Sequence, residues 1–252
     1  MKFSIVNKVR VEPFPKGKGL CPVCGNETLA KCGNKIIWHW AHRSSQMCDA
    51  WWENETKWHR DWKNNWPIEN QEIIHIDSNT GEKHIADVKT DSGMVIEIQN
   101  SPIDEEELLS RENFYGNMIW IVNGVKFKNN IKIGTRLPDP ESFESKDMCI
   151  YDSIFPSGYF IYHKLSERDP NSDLVEIHSS NKIQEYVDRT HCGHYLFSWK
   201  RRRSVWFAST KTVFIDFGDE LLWKLVKFNQ YSPYCFQAYN KSEISMLYGG
   251  GS

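Results

Sequence analysis

HIADVKTDSGMVIEIQNS, residues 84–101, sets an aspartate and a glutamate into an otherwise apolar strand pattern. KHIADVK and MVIEIQ each alternate as strands, and the TDSG between them reads as a tight turn, so the pair forms a hairpin. In the second strand Met94, Ile96 and Ile98 share one face, while Val95, Glu97 and Gln99 share the other. Asp87 lies across the short hairpin, close to Glu97. Two acids on adjacent strands, with an amide two positions after the second, form a set of oxygen donors that suits Mg²⁺ or Mn²⁺. A cation held there serves phosphodiester hydrolysis by polarising the phosphate and activating water.

The surrounding pattern extends this hairpin into a core. Upstream, EIIHI alternates as a further strand before the turn DSNTGE. Before that, WWENETKWHRDWKNNW (51–66) lacks Gly and Pro and stops ahead of Pro67, which predicts a helix. Glu55, His59 and Lys63 stand four residues apart on one side of it, and Trp58, Trp62 and Trp66 form a packing stripe beside them. Either the three form the solvated charged edge of an amphipathic helix, or Glu55 is a third carboxylate for the cation, His59 a proton shuttle or phosphate contact, and Lys63 a source of positive charge. Downstream, Ser101 is expected to cap a helix that has Pro102 at its first position and ends at Gly116-Asn117. MIWIVNG then reads as a buried strand. The order is helix, three antiparallel strands, helix, strand.

The first fifty residues carry different chemistry. Cys21 and Cys24 of CPVCG, followed by His39 and His42, give the spacing C-x2-C-x14-H-x2-H on a short hairpin, with Cys48 as a fifth candidate. Zinc takes four such ligands, so one of the five is spare, as is Cys32. A closed set of four protein ligands makes this structural Zn²⁺ rather than a catalytic ion. A redox CxxC is the competing account.

The chain has 252 residues, 40% of them hydrophobic, enough for one large domain or two modest ones. A net charge of −2 excludes a generally basic nucleic-acid protein but leaves room for local patches. No apolar leader opens the chain and no run suits a membrane span. Seven cysteines, an odd number that includes a CxxC, argue against a secreted disulfide framework and for a cytoplasmic protein. The expected divisions are a zinc-binding module over 1–50, a core over 51–125, an α+β region over 126–248 and a linker-like GGGS at 249–252. In the third, Lys200, Arg201, Arg202 and Arg203 flanked by Trp199 and Trp206 suit either phosphate contact and base stacking or a solvated helix face with core tryptophans. DELLWKLVKF reads as a helix, and His191, Cys192 and His194 form a weaker metal candidate.

The motifs CPVCG, HWAH, ETKWHRDWK, HIADV, EIQNSPI and RENFYGNMIWIVNG, spread over residues 20–124, resemble the competence protein CoiA-like nucleases of the PD-(D/E)XK superfamily. The resemblance implies a restriction-endonuclease-like αβββαβ core and metal-dependent cleavage of DNA, in processing, uptake, recombination or phage defence. Asp87 and Glu97 would be its paired acids. Gln99 stands where the superfamily usually has lysine, and an amide cannot take a proton near neutral pH. Arg111 and Tyr115 match a recurring R-x-x-x-Y, as site support or phosphate contacts. A non-cleaving nucleic-acid-binding module and an RNA nuclease remain the alternatives. A homodimer or partner protein is compatible with the resemblance, but the sequence carries no signature of either.

Overall fold

A computed structural model describes residues 1–43, 48–53, 55–143, 145, 148–152, 160–164, 175–176, 181–201, 203–229 and 234–251. The chain is α/β with mixed sheets and divides into two compact units. The first comprises 1–123, 203–213 and 242–252; the second comprises 124–202 and 214–241.

In the first unit, β1 (Ser4–Val6), β2 (Val9–Val11), β3 (Lys18–Leu20), β4 (Glu27–Lys31) and β5 (His39–His42) form one antiparallel sheet ordered β2-β1-β3-β4-β5. Trp40, Cys21 and Met1 are buried at its centre, with Trp52 and Ile85 packed against them. The core follows as α1 (Lys57–Lys63), β6 (Gln71–Ile76), β7 (Lys83–Lys89), β8 (Val95–Gln99), α2 (Glu105–Tyr115) and β9 (Met118–Asn123). Strands β6, β7 and β8 pair antiparallel, and β8 pairs parallel with β9 through the α2 crossover. A parallel pair needs such a connection, and both of its strands are buried. The returning segments add α4 (Val205–Ala208) and α5 (Lys241–Leu247).

Both helices are shorter than their sequence pattern suggests, for local reasons. Helix α1 starts only at Lys57, because Thr56 is the N-cap and its side chain accepts from His59 N. Residues 51–53 are engaged elsewhere: Trp51 N donates to Asp49 Oδ1, and Trp51 O accepts from Arg111. Helix α2 is capped by Asp104, whose carboxylate accepts from Glu107 N at 2.8 Å, not by Ser101. Ser101 turns both its N–H and its carbonyl toward side chains of the acidic site. Gly116 does cap the far end, at φ 66, which a residue with a Cβ rarely adopts. The tail also departs from a free linker: Gly251 N donates to Asn65 O.

The second unit contains β10 (Ile131–Arg136), β11 (Met148–Asp152), β12 (Phe160–Lys164), β13 (Val175–Glu176), α3 (Asn181–Thr190), β14 (His194–Trp199), β15 (Thr212–Asp216), β16 (Leu221–Lys227) and β17 (Tyr234–Asn240). Five strands of the nine-stranded sheet run in the order β10-β14-β17-β16-β15, and a three-stranded sheet runs β11-β12-β13. DELLWKLVKF, read as a helix, is strand β16, paired on both sides by β15 and β17. Its leucines and valine satisfy either period over so short a run, and two partner strands decided between them.

Candidate active site and metal centre

The two acids of the opening stretch sit where the sheet comes apart. The β7–β8 register runs Lys89↔Val95 and Val88↔Ile96, which places Asp87 opposite Glu97, and there the backbone ladder ends. Side chains take over its hydrogen bonds: Asp87 N donates to Glu97 Oε1 at 3.3 Å, and Ile98 N donates to Asp87 Oδ2 at 2.9 Å. The other side of β7 shows the same gap. Gln71↔Val88 and Ile73↔Ala86 set Glu72 against Asp87, and Glu72 has φ 48, a strained value for a residue other than glycine. A cavity of about 50 Å³ opens here, lined among others by Glu53, Glu55, His59, Lys63, Asp87, Glu97, Gln99 and Arg111. That is room for a few water-sized groups.

Charge inside the cavity is nearly balanced by the protein itself. Lys63 Nζ lies 2.7 Å from Glu55, 2.9 Å from Glu72 and 3.7 Å from Asp87. Burial alone would lower its pKa, but these three carboxylates outweigh burial and raise it above the usual lysine range. Arg60 also pairs with Glu55. Asp87 stays low against the cost of burial because His59, Lys63 and the Ile98 amide favour its charge. Glu97 goes the other way, pushed up to about 8 by burial and then by the Asp87 charge, with Arg111 at 3.1 Å opposing. His59 Nε2 is 2.8 Å from Asp87 Oδ1, without an in-line hydrogen bond.

Gln99 has a determined orientation. Its Nε2 donates to Glu53 Oε1 and to Ser101 O, while its Oε1 faces Arg111 Nη1 at 3.5 Å. Flipping the amide would set oxygen against two acceptors. Both amide hydrogens are therefore used, and the group offers the cavity an acceptor rather than the donor its place in the sequence suggests. Arg111 is buried and also bonds Glu107 and Trp51 O. Tyr115 is buried in an aromatic cluster with His75 and Trp51, which leaves it as support rather than a phosphate contact.

Glu72, Glu53 and Asp49 were not identified from sequence. Extending the hairpin register would have found Glu72 opposite Asp87. Glu53 was hidden by the over-long helix, where it fell on the wrong face.

The cysteine cluster resolves the ligand question. Cys21, Cys24, His42 and Cys48 bring one ligand atom each within 4.8 Å of the others. Cys21 Sγ to Cys48 Sγ is 3.6 Å, Cys24 Sγ to His42 Nε2 is 3.4 Å, and Cys48 Sγ to His42 Nε2 is 3.6 Å. With Zn–S near 2.3 Å, the edge of a tetrahedral site is about 3.8 Å, so the arrangement fits zinc. His39 is the spare: its Nδ1 faces Ile37 O at 2.9 Å instead. Among the described residues this is the one group of His, Cys, Asp and Glu with such convergence, so His191, Cys192 and His194 do not form a second.

The basic run also changes meaning. Lys200 and Arg201 are exposed, Arg203 is half-buried, and Arg202 lies outside the described residues. Trp199 and Trp206 are core residues, Trp199 stacked on Phe127 and Trp206 edge-on to Trp120, so neither is a base-stacking platform. No helix among the described residues is long and apolar enough to cross a membrane.

Residues 11–50 match the family model described as competence protein CoiA, N-terminal domain. Through this segment, which contains Cys21, Cys24, His42 and Cys48, the chain is CoiA-like. No curated protein and no solved structure matches it.

Proposed function

We infer that the protein is a metal-dependent nuclease that hydrolyses phosphodiester bonds in DNA. One observation carries the reading: Asp87 and Glu97 face each other where β7 and β8 part, in a cavity also lined by Glu55, His59, Lys63 and Gln99. On this reading α1 to β9 is a restriction-endonuclease-like core and Asp87 and Glu97 hold Mg²⁺ or Mn²⁺. What supports the ion is the crowding of two carboxylates, with the proton affinity of Glu97 raised by burial and then by Asp87; to bind it they would give up contacts to His59 and Arg111. Such an ion supplies Lewis acidity and a more acidic bound water.

The chain's own residues supply the rest. Lys63, fixed in the charged state by three carboxylates, is the cation that the Gln99 position lacks, and it faces the cavity from the helix side. His59 beside Asp87 is placed to pass a proton. Arg111 holds Glu97 in place, and Glu55 lies behind Lys63 as its counter-charge, a further ligand only if Lys63 and Arg60 release it. Competence, the description of the matched family, supports DNA and its uptake or processing.

The Glu97–Arg111 pair favours a second reading, a binding module in which these acids are neutralised internally. The test is cleavage of circular and linear duplex DNA, single-stranded DNA and RNA with Mg²⁺ or Mn²⁺, against EDTA, Asp87→Asn and Glu97→Gln. Metal-dependent cutting that falls by about 100-fold or more in both variants supports the nuclease. Binding without cutting in either metal supports the module, and cutting confined to RNA replaces the substrate.

A further inference from the structure

We propose that the turn Cys48–Glu53 is the positioning element of the acidic site and is keyed by the metal at Cys21, Cys24, His42 and Cys48. The proposal rests on reading the acidic site as catalytic.

The turn is neither helix nor strand, and its order comes from what its side chains hold. Cys48 is a zinc-type ligand, 3.6 Å from both Cys21 Sγ and His42 Nε2. The next residue, Asp49, reaches into the opened sheet. Its Oδ2 accepts from Ile85 N at 2.9 Å, on the strand that β8 has left, and its Oδ1 meets His84 Nδ1 at 2.8 Å. Trp51 stacks on His84 with ring centroids 3.3 Å apart, and its carbonyl accepts from Arg111 Nη2 at 3.0 Å. Trp52 points the other way, into the Trp40 cluster of the cysteine module. Glu53 takes a hydrogen from Gln99 Nε2 and one from Ser101 N.

Six residues therefore tie the cysteine cluster to Arg111, which holds Glu97, and to Gln99 beside it. Glu53 sets which way the Gln99 amide faces, and the Trp51 carbonyl helps to fix the guanidinium that holds Glu97. Inside the turn itself the ties are few: Trp51 N to Asp49 Oδ1 and Trp52 N to Asp49 O. Three thiols gathered within 4.8 Å of one another stay together as thiolates only around a cation, since their charges otherwise repel. Loss of the metal releases Cys48, and Asp49, Trp51 and Glu53 lose the anchor at one end. Asp49, Trp51 and Glu53 are accordingly positioning residues, and a displacement of about 1 Å in such a shell costs on the order of 100-fold in rate.

The experiment uses the full chain and hydrogen–deuterium exchange, with zinc content measured alongside. Stripping with 1,10-phenanthroline should raise exchange at the Trp51, Ile85 and Ser101 amides at least tenfold, leave Ile119 and Ile121 protected, and be reversed by Zn²⁺ alone. Unchanged protection at Trp51, Ile85 and Ser101 would overturn the proposal. Should stripping unfold the whole unit, Asp49→Asn and Glu53→Gln decide. Both should keep one zinc per chain and lose about 100-fold in kcat with KM unchanged; wild-type turnover in both refutes the positioning role. If the wild type cuts no substrate in either metal, the nuclease reading fails, while the exchange result still reports on the keying.

Discussion

Two polar clusters lie in the first unit, one partly exposed around Cys24 and one largely buried around Glu97, and they solve opposite problems. In the cysteine cluster the thiols and His42 have one another as partners, so ionising the thiols accumulates negative charge. In the acidic cluster, Glu55, Glu72, Asp87 and Glu97 are matched by Lys63, Arg60 and Arg111. The first arrangement could hold an ion that offsets this charge. The second carries its own cations. The two clusters thus differ in whether the protein itself supplies the opposing charge.

The largest expected effect breaks the first cluster. Apparent binding free energies of structural zinc run at about 10–16 kcal/mol in isolated modules. Elemental analysis should find one zinc per chain and none in Cys24→Ser, whose N-terminal module should become sensitive to protease; His39→Gln should keep its zinc. Zinc retained in Cys24→Ser, or lost in His39→Gln, would reassign the ligands.

Lys63→Met breaks the second cluster by leaving three buried carboxylates without their shared cation. A loss of about 3–5 kcal/mol in urea unfolding is expected. Adding Glu72→Gln should recover part of it, and a deficit in the single variant below about 1 kcal/mol would mean that water already screens these acids.

A buried histidine without such pairing sharpens the contrast. Burial pushes His194 down to about 4, with Asp139 only partly opposing. The unfolded chain takes up this proton below about pH 6.5 and the folded one only near pH 4, so the unfolded state binds more protons between them. Stability is therefore lost as pH falls through that window, by about 3 kcal/mol for this residue. His194→Gln should flatten the dependence, and parallel urea midpoints for both proteins would remove the assignment. The smallest effect is at a helix end: Asp104→Ala should cost about 1 kcal/mol, and Ser101→Ala should not act as a capping loss.

How far the sequence could be read varied with the range of the interactions involved. Alternation gave β6, β7 and β8 and the shared face of Glu97 and Gln99, because side-chain period is local. It failed at β16, where both periods fit and the β15 and β17 partners chose. The 51–66 segment misled because Asp49, two residues away, and Arg111, sixty residues away, claim the backbone of Trp51 before a helix can. Trp199 and Trp206 could be read as stacking platforms only until their burial was known.

By itself, then, the sequence determined the donor types of both sites, the order of elements around Asp87 and Glu97, and five candidate zinc ligands of which one was spare. Only the tertiary structure decided that His42 and not His39 completes the cysteine cluster, that Glu72 enters the acidic site on a strained backbone, and that Gln99 turns its amide hydrogens to Glu53. Each of these depends on where a group from a distant segment comes to rest. Residue type and local period are written along the chain, whereas the partner that orients a side chain is set by packing of elements far apart in it.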